Sequence, residues 1–363
     1  DLTPGMKATV RSLAWAGADP IVTRLTADRT DIARVTLTST SARFTSLWSG
    51  AVTASAGDGD VALSADGTHF AASIEDFERP PEIMTGTAAP LLTLTAVTRG
   101  NAGLGAQAAA TSIKWKSGRL DVQGWLLGPK TRVPGRRYPM IVLVHGGPSA
   151  AITPTYVWNG SVRQLVEHGY FVFQPNPRGS YGQGAAFTRA NVRDFGGGDL
   201  RDILAGVDAV ERQAPVDDAR LGVYGHSYGG FMTMWAVTHS QRFKAAAAGA
   251  GIANWISYYG ENGIDQWMIP FFGASAYDDP AIYVKLSPLT SIKHARTPTL
   301  ITVGERDVEC PPAQSIEFWH ALRAMNVPTT LVIYPGEGHR IHRPENIHDG
   351  EKRVIGWFDS YLK

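Results

Sequence analysis

Leu221-Gly222-Val223-Tyr224-Gly225-His226-Ser227-Tyr228-Gly229-Gly230 is an apolar run that closes in Gly-x-Ser-x-Gly and passes at once into the helix-compatible stretch Phe231 to Val237. A strand that turns sharply into a helix with serine at the corner is a nucleophile elbow. Gly225 and Gly229 clear side chains from the turn, so the Ser227 hydroxyl is expected to stand above a sheet, at the positive end of the following helix. A glycine-rich turn that merely contains serine would need neither the strand before it nor the helix after it.

Working outward, Ile113 to Trp115 and Val122 to Leu127 read as a strand pair. Met140 to Val144, Phe171 to Gln174, Ala245 to Ala248, Leu300 to Val303 and Thr330 to Tyr334 read as further strands. Amphipathic helices alternate with them. One carries Leu200, Ile203, Leu204, Val207 and Val210 on a single face with Asp199 as its N-cap; others lie near Gln314 to Met325 and Asp349 to Leu362. Such alternation predicts a mostly parallel sheet with helices on both faces, over residues 111–363.

A serine hydroxyl is a weak nucleophile and needs a base, and the base needs a carboxylate to orient it. In this fold the order along the chain is Ser, then Asp or Glu, then His. Asp307 lies just past the strand Leu300 to Val303, in Gly304-Glu305-Arg306-Asp307, and His339 just past the strand Thr330 to Tyr334, in Pro335-Gly336-Glu337-Gly338-His339. Both fall where open α/β sheets place their crevice, beyond the carboxyl ends of the strands. Glu305 and His342 compete for the same roles, but they sit closer to surface or helix-start positions, which favours Asp307 and His339. The oxyanion needs backbone donors. The N–H of Tyr228, next after the nucleophile, is one candidate, and Gly147 in His145-Gly146-Gly147-Pro148 is the other; the alternative for that loop is a tight structural turn.

The first 110 residues follow another pattern. Ala8 to Trp15, Ile21 to Leu25, Ile32 to Leu37, Phe44 to Trp48, Val61 to Leu63, Phe70 to Ser73 and Leu91 to Val97 are short alternating runs separated by turn signals such as Gly57-Asp58-Gly59 and Ser64-Ala65-Asp66-Gly67. They predict antiparallel sheet resembling propeller blades. At about 40 to 45 residues per blade, two to three blades fit, whereas closed propellers have at least about four. Residues 1–110 are therefore expected to be the terminal blades of an incomplete, all-β, β-propeller-like segment, completed by a separate chain or a missing segment. Thr98 to Thr111, rich in Gly and Ala, marks the boundary. The chain begins Asp1-Leu2-Thr3, without an initiator Met or the regions of a signal peptide, and reads as a fragment, a processed form or an incomplete chain.

Composition narrows the function further. In 363 residues, 34 Lys+Arg against 33 Asp+Glu leave a formal charge of +1, so no long-range field favours nucleic acid or an acidic membrane surface. The apolar runs are far shorter than the roughly 18 to 20 residues of a membrane helix. A single cysteine, Cys310, excludes an internal disulfide framework and a multi-thiolate zinc site, and is compatible with a reducing cytoplasm. No His/carboxylate spacing suggests a metal, and Gly179-Ser180-Tyr181-Gly182-Gln183-Gly184 is not a dinucleotide fingerprint, so no cofactor is expected. A homo-oligomer is left open.

His145-Gly146-Gly147-Pro148, Asn176-Pro177-Arg178-Gly179-Ser180-Tyr181-Gly182, Gly196-Gly197-Gly198-Asp199, the serine elbow and the Asp307 and His339 loops together resemble the prolyl oligopeptidase family, in its acylaminoacyl-peptidase and dipeptidyl-aminopeptidase-like branch. The resemblance covers about residues 113–363 and is weaker over the first 110. It implies that residues 111–363 form an α/β-hydrolase domain, capped by a propeller that admits short peptides and excludes folded proteins. It also implies that the segment holding Trp255, Tyr258, Tyr259 and Trp267 lines the pocket for the residue before the scissile bond, the competing reading being ordinary aromatic packing. Arg178 either steadies substrate or forms an ion pair with Asp199 or Asp202, and the ion pair is favoured. Two positions past the aspartate, where relatives carry Arg or Asn, this chain has Glu309. A carboxylate there suits a free α-ammonium better than an acylated terminus, unless it turns to solvent or to Arg306. The expected activity is a serine peptidase cutting short peptides near the N-terminus through an acyl-enzyme, with an esterase on the same triad or a non-catalytic hydrolase-fold binding protein as alternatives.

Overall fold

Val, Ile and Thr, which fit a pleated and half-buried surface, are frequent in the first fifty residues, and four antiparallel strands form there in sequence order: β1 (Thr9–Ala16), β2 (Asp19–Thr26), β3 (Arg29–Leu37) and β4 (Ala42–Gly50). A second antiparallel sheet holds β5 (Thr53–Ala54), β6 (Ala62–Leu63), β7 (His69–Glu75), β8 (Glu82–Thr87) and β9 (Thr95–Ala96), with β7 central. Ile21, Ile32 and Leu47 of the first sheet share a core with Val61, Phe70 and Ala72 around the second. The structure, a computed structural model, describes residues 2–17, 19–54, 61–87, 93–158 and 160–363. These sheets belong to one compact unit, Asp1–Ser112 with Ala151–Trp158 and Ser180–Arg189; the other unit is Ile113–Ala150, Asn159–Gly179 and Ala190–Lys363.

The second unit is built on an eight-stranded sheet of β10 (Ala109–Ser117), β11 (Leu120–Gly128), β12 (Tyr138–Val144), β13 (Phe171–Asn176), β14 (Val216–His226), β15 (Ala245–Gly249), β16 (Thr299–Gly304) and β17 (Thr329–Tyr334). Its order is β10-β11-β13-β12-β14-β15-β16-β17. β11 pairs antiparallel with β13, and every pair from β13 to β17 is parallel. The helices, in chain order, are α1 (Ser161–Glu167), α2 (Ala185–Thr188), α3 (Gly198–Glu211), α4 (Tyr228–His239), α5 (Trp255–Glu261), α6 (Met268–Phe272), α7 (Pro280–Lys285), α8 (Pro312–Ala324) and α9 (Pro344–Leu362); α2 lies in the first unit. Among the described residues none is long and apolar enough to cross a membrane.

Two neighbouring facts place helices on both faces. A side chain at Gly222 would meet Phe358 of α9, whereas one at Gly225 would meet Gly229 of α4. Positions three apart on a strand point to opposite sides, so α9 and α4 cover opposite faces. From β12 the chain steps to β13 on one side and then returns to β14 on the other. The crevice at this switch lies between the carboxyl ends of β12 and β14, where open α/β sheets bind ligands. His145 follows β12 there, and Ser227 follows β14.

Several elements differ from expectation. Glu82–Thr87 is a strand although Pro80-Pro81 precedes it and no clean alternation announces it; its side chains are at most half buried. The turn Gly57-Asp58-Gly59 lies outside the described residues, as do Leu91 and Leu92 of the expected strand Leu91 to Val97, of which Thr95–Ala96 is strand. Asp199 is not the N-cap of α3. Gly197 holds that position, and Asp199 sits two residues on, in the first turn, with its side chain turned to other work. α9 begins at Pro344, five residues before the expected start, because proline is well suited to the first helical turn.

Candidate active site

Ser227 stands between the last residue of β14 and the first of α4 with φ 61° and ψ −123°, a positive φ that a non-glycine residue rarely adopts. Glycines permit it. A side chain at Gly225 would come within 2.4 Å of the Gly229 backbone, and one at Gly229 within 2.2 Å of the Val144 carbonyl oxygen. The Ser227 N–H donates to the Gly249 carbonyl (3.0 Å), and its own carbonyl accepts from the Phe231 N–H (2.9 Å), so the strained corner is held by the next strand and by α4.

The loops after β16 and β17 meet. Asp307 Oδ2 is 2.9 Å from His339 Nδ1, and Oδ1 accepts the backbone N–H groups of Glu309 (2.9 Å) and Cys310 (2.8 Å). This carboxylate is buried. The competing carboxylate, Glu305, instead accepts the Gly336 N–H at 2.8 Å and ties the two loops together. Glu337, in the His339 loop, accepts the N–H groups of His342 and Arg343 (both 3.0 Å) and the Asn346 side chain (2.7 Å). The Asn346 amide and these backbone donors hold its carboxyl below the usual range. The start of α9 is thereby capped by the loop that carries His339.

A ring of contacts connects Ser227 to this pair. The Cys310 thiol lies beside the Ser227 hydroxyl, and burial pushes that thiol far above its usual range, so it stays neutral. His226, the residue before the serine, places its ring centroid 4.7 Å from that of His339. Glu309 Oε2 is 3.7 Å from His339 Nε2, so it turns neither to solvent alone nor to Arg306. The sequence alone marks Cys310 only as a lone thiol and assigns no role to His226. Their nearness to Ser227 in sequence or to Asp307 by three positions was the available signal.

The loop after β12 closes on the elbow from the other side. A side chain at Gly146 would lie 3.5 Å from Ser227 Cβ, and Gly147 is exposed with φ 129°, where a side chain would meet the Ser149 nitrogen at 2.5 Å. Tyr228 opens α4, so its N–H is among those a helix leaves without an internal acceptor. Its phenol donates to Asp199 Oδ2 at 2.6 Å. Burial pushes the Asp199 carboxyl up to about 7, against the pull of its bonds from Tyr228 and from the Gly196 and Leu200 backbone.

The aromatic residues divide. Trp255 and Tyr258 are fully buried and meet edge-on at 5.3 Å, with Trp267 at 6.0 Å from Trp255 and 6.4 Å from Tyr258. Phe195 joins them to Tyr228, 5.7 Å from Trp255 and 5.1 Å from Tyr228, so this cluster reaches the residue after the serine. Tyr259 points elsewhere, edge-on to Tyr277 and Tyr283. Trp255 Nε1 is spent on the Leu286 carbonyl at 3.0 Å. Arg178 makes a bidentate pair with Asp202, Nε to Oδ2 at 2.9 Å and Nη2 to Oδ1 at 2.7 Å, and also donates its backbone N–H to Oδ2.

Residues 157–363 match the model of the prolyl oligopeptidase family. A Bacillus subtilis protein named "Uncharacterized peptidase YuxL" is 38% identical over 246 residues, covering 66% of this chain and 37% of that protein. "Dipeptidyl-peptidase 5" of Porphyromonas gingivalis is 32% identical over 245 residues, covering 66% and 36%. The matched stretch thus spans little more than a third of these relatives. Among solved structures, Pyrococcus horikoshii acylaminoacyl peptidase superposes with a TM-score of 0.83 at 24% identity, covering 100% of this chain and 57% of that one. A Mycobacterium tuberculosis puromycin-hydrolyzing peptidase superposes with a TM-score of 0.77 at 22% identity, covering 99% and 55%. At these identities the structural likeness is one of fold: an all-β part followed by an α/β hydrolase.

Proposed function

The chain belongs to the prolyl oligopeptidase family, and from that membership we propose that it acts as a serine peptidase on short peptides, cutting near the N-terminus. The observation that carries the reading is the 2.9 Å bond between Asp307 and His339 beside a strained serine elbow. Ser227 attacks the scissile carbonyl while His339 takes its proton, and Asp307 holds the imidazole in the tautomer that leaves Nε2 free to accept. The N–H groups of Tyr228 and Gly147 stabilise the oxyanion. His339 then gives the proton to the leaving nitrogen, and water repeats the sequence on the acyl-enzyme.

Trp255, Tyr258 and Trp267 are assigned to the side of the residue before the scissile bond, because their cluster reaches Tyr228 through Phe195. The 32% identical relative named a dipeptidyl-peptidase supports a peptide substrate. Further blades, from a missing segment or a separate chain, complete the propeller in this reading, and the lone buried thiol accords with a cytoplasmic setting. Labelling with a fluorophosphonate probe, lost in Ser227→Ala, tests the enzyme against a non-catalytic binder. A panel of short peptides with free and N-acetylated termini, set beside esters of the same acyl groups, tests peptidase against esterase.

A further inference from the structure

The imidazole of His339 has a carboxylate at each nitrogen. Asp307 meets Nδ1 at 2.9 Å, and Glu309 Oε2 stands 3.7 Å from Nε2. The second distance is too long for a hydrogen bond and short enough for a charge to be felt. The two carboxylates are not equivalent. Asp307 is buried and fully engaged, whereas the Glu309 side chain is 47% exposed and its backbone N–H is pinned by Asp307 Oδ1 at 2.9 Å. The aspartate that orients the histidine therefore also fixes the backbone from which Glu309 reaches round to the opposite nitrogen.

Nε2 is the atom that moves the proton. To deliver it, Nε2 must come within about 3 Å of the scissile nitrogen, which brings that nitrogen within reach of Glu309 as well. When the tetrahedral intermediate collapses, Nε2 gives its proton to the nitrogen, which becomes positively charged while still bonded to carbon. The C–N bond then breaks with its electron pair leaving on nitrogen, the carbonyl re-forms from the oxyanion, and a neutral amine departs beside a neutral imidazole. Between those two events the nitrogen carries a positive charge, one N–H that still donates to Nε2, and a second N–H, the one it bore in the amide, with no partner in the triad. An ester oxygen departs with far less need of protonation and has no N–H to donate.

We propose that Glu309 is a catalytic residue for the leaving group: it accepts the N–H of the protonated scissile nitrogen and so favours peptide bonds over esters. This rests on the roles given above to Ser227, Asp307 and His339. The test compares kcat/KM of the parent and Glu309→Gln on an alkyl amide and an alkyl ester with the same acyl part, each with a free and an N-acetylated terminus. Amide cleavage is expected to fall about 10- to 100-fold in the variant, the scale of a hydrogen bond to a charged group, with ester cleavage nearly unchanged. In the parent the amide-to-ester ratio should fall as salt rises, and in the variant it should not, a readout that a merely structural role would leave still. An equal fall on amide and ester, no fall on either, or a loss that follows the free terminus whatever the leaving group would overturn the proposal. Those outcomes differ from failure of the triad itself, which would appear as turnover retained in Ser227→Ala.

Discussion

The Tyr228 phenol donates a 2.6 Å hydrogen bond to Asp199 Oδ2, and both side chains are buried. The residue after the candidate nucleophile is thereby tied to the first turn of α3, whose next carboxylate, Asp202, holds Arg178. The elbow thus rests on a polar layer, and within it burial pushes the Asp199 carboxyl up to about 7.

A pH dependence of stability follows. Asp199 binds its proton more tightly folded than unfolded, so its contribution is complete below about pH 4, the unfolded value, and is lost as pH rises through about 7. That difference corresponds to about 4 kcal/mol. Asp199→Asn removes this titration, so the variant should gain on the parent by up to that amount in urea unfolding between pH 4 and 8. A difference that stays constant with pH would contradict the assignment.

Ser227→Ala should abolish turnover, by roughly 10⁶-fold in kcat, and leave the unfolding midpoint close to that of the parent, since the lost hydroxyl opens no cavity of consequence. Fluorophosphonate labelling followed by mass spectrometry gives the check. An adduct still formed in the variant would move the nucleophile elsewhere.

Asp307→Asn should lower kcat about 10⁴-fold, because an amide at this place holds the wrong imidazole tautomer. Steady-state kinetics decide it. A loss below tenfold would turn attention to Glu305, whose bond to Gly336 otherwise explains it as a tie between loops.

Arg178→Met leaves Asp202 as an uncompensated buried charge and should cost about 3 to 5 kcal/mol in denaturant unfolding. The folded enzyme should keep a KM near the parent's. A raised KM with unaltered stability would instead make Arg178 a substrate contact.

Gly225→Ala drives a methyl group to within 2.4 Å of the Gly229 backbone and must displace the elbow. A shift on the order of 1 Å in a catalytic group costs about 10²-fold, so kcat should fall at least that far even where circular dichroism shows a folded chain. Parent-like turnover would mean that the turn tolerates a side chain and that its tightness is not what poises Ser227.

Much of this arrangement was legible along the chain. Strand, turn and helix around Ser227 are set by contiguous residues, and so are the loops that carry Asp307 and His339 past the ends of their strands. Local periodicity and the chain order of the three residues suffice for that reading, because backbone preferences act over a few positions. The strand at Glu82–Thr87 escaped for the same reason: what holds it is pairing with β7, not its own pattern.

Side-chain partners were another matter. Glu309 and Arg306 are close in sequence, yet Glu309 goes to His339, thirty residues on, because the order β14-β15-β16-β17 brings the carboxyl ends of these strands together. The same sheet order places Cys310 against Ser227. Phe195 bridges Trp255 to Tyr228, and Tyr259 meets Tyr277 and Tyr283, contacts that no spacing along the chain announces. Asp199 reads as a helix cap from its neighbours alone and becomes a buried partner of Tyr228 only once α3 and α4 are packed. Which polar atom a buried group meets depends on the packing of elements distant in the chain, since burial penalises every unpaired polar group and tertiary contact alone determines where the partner stands.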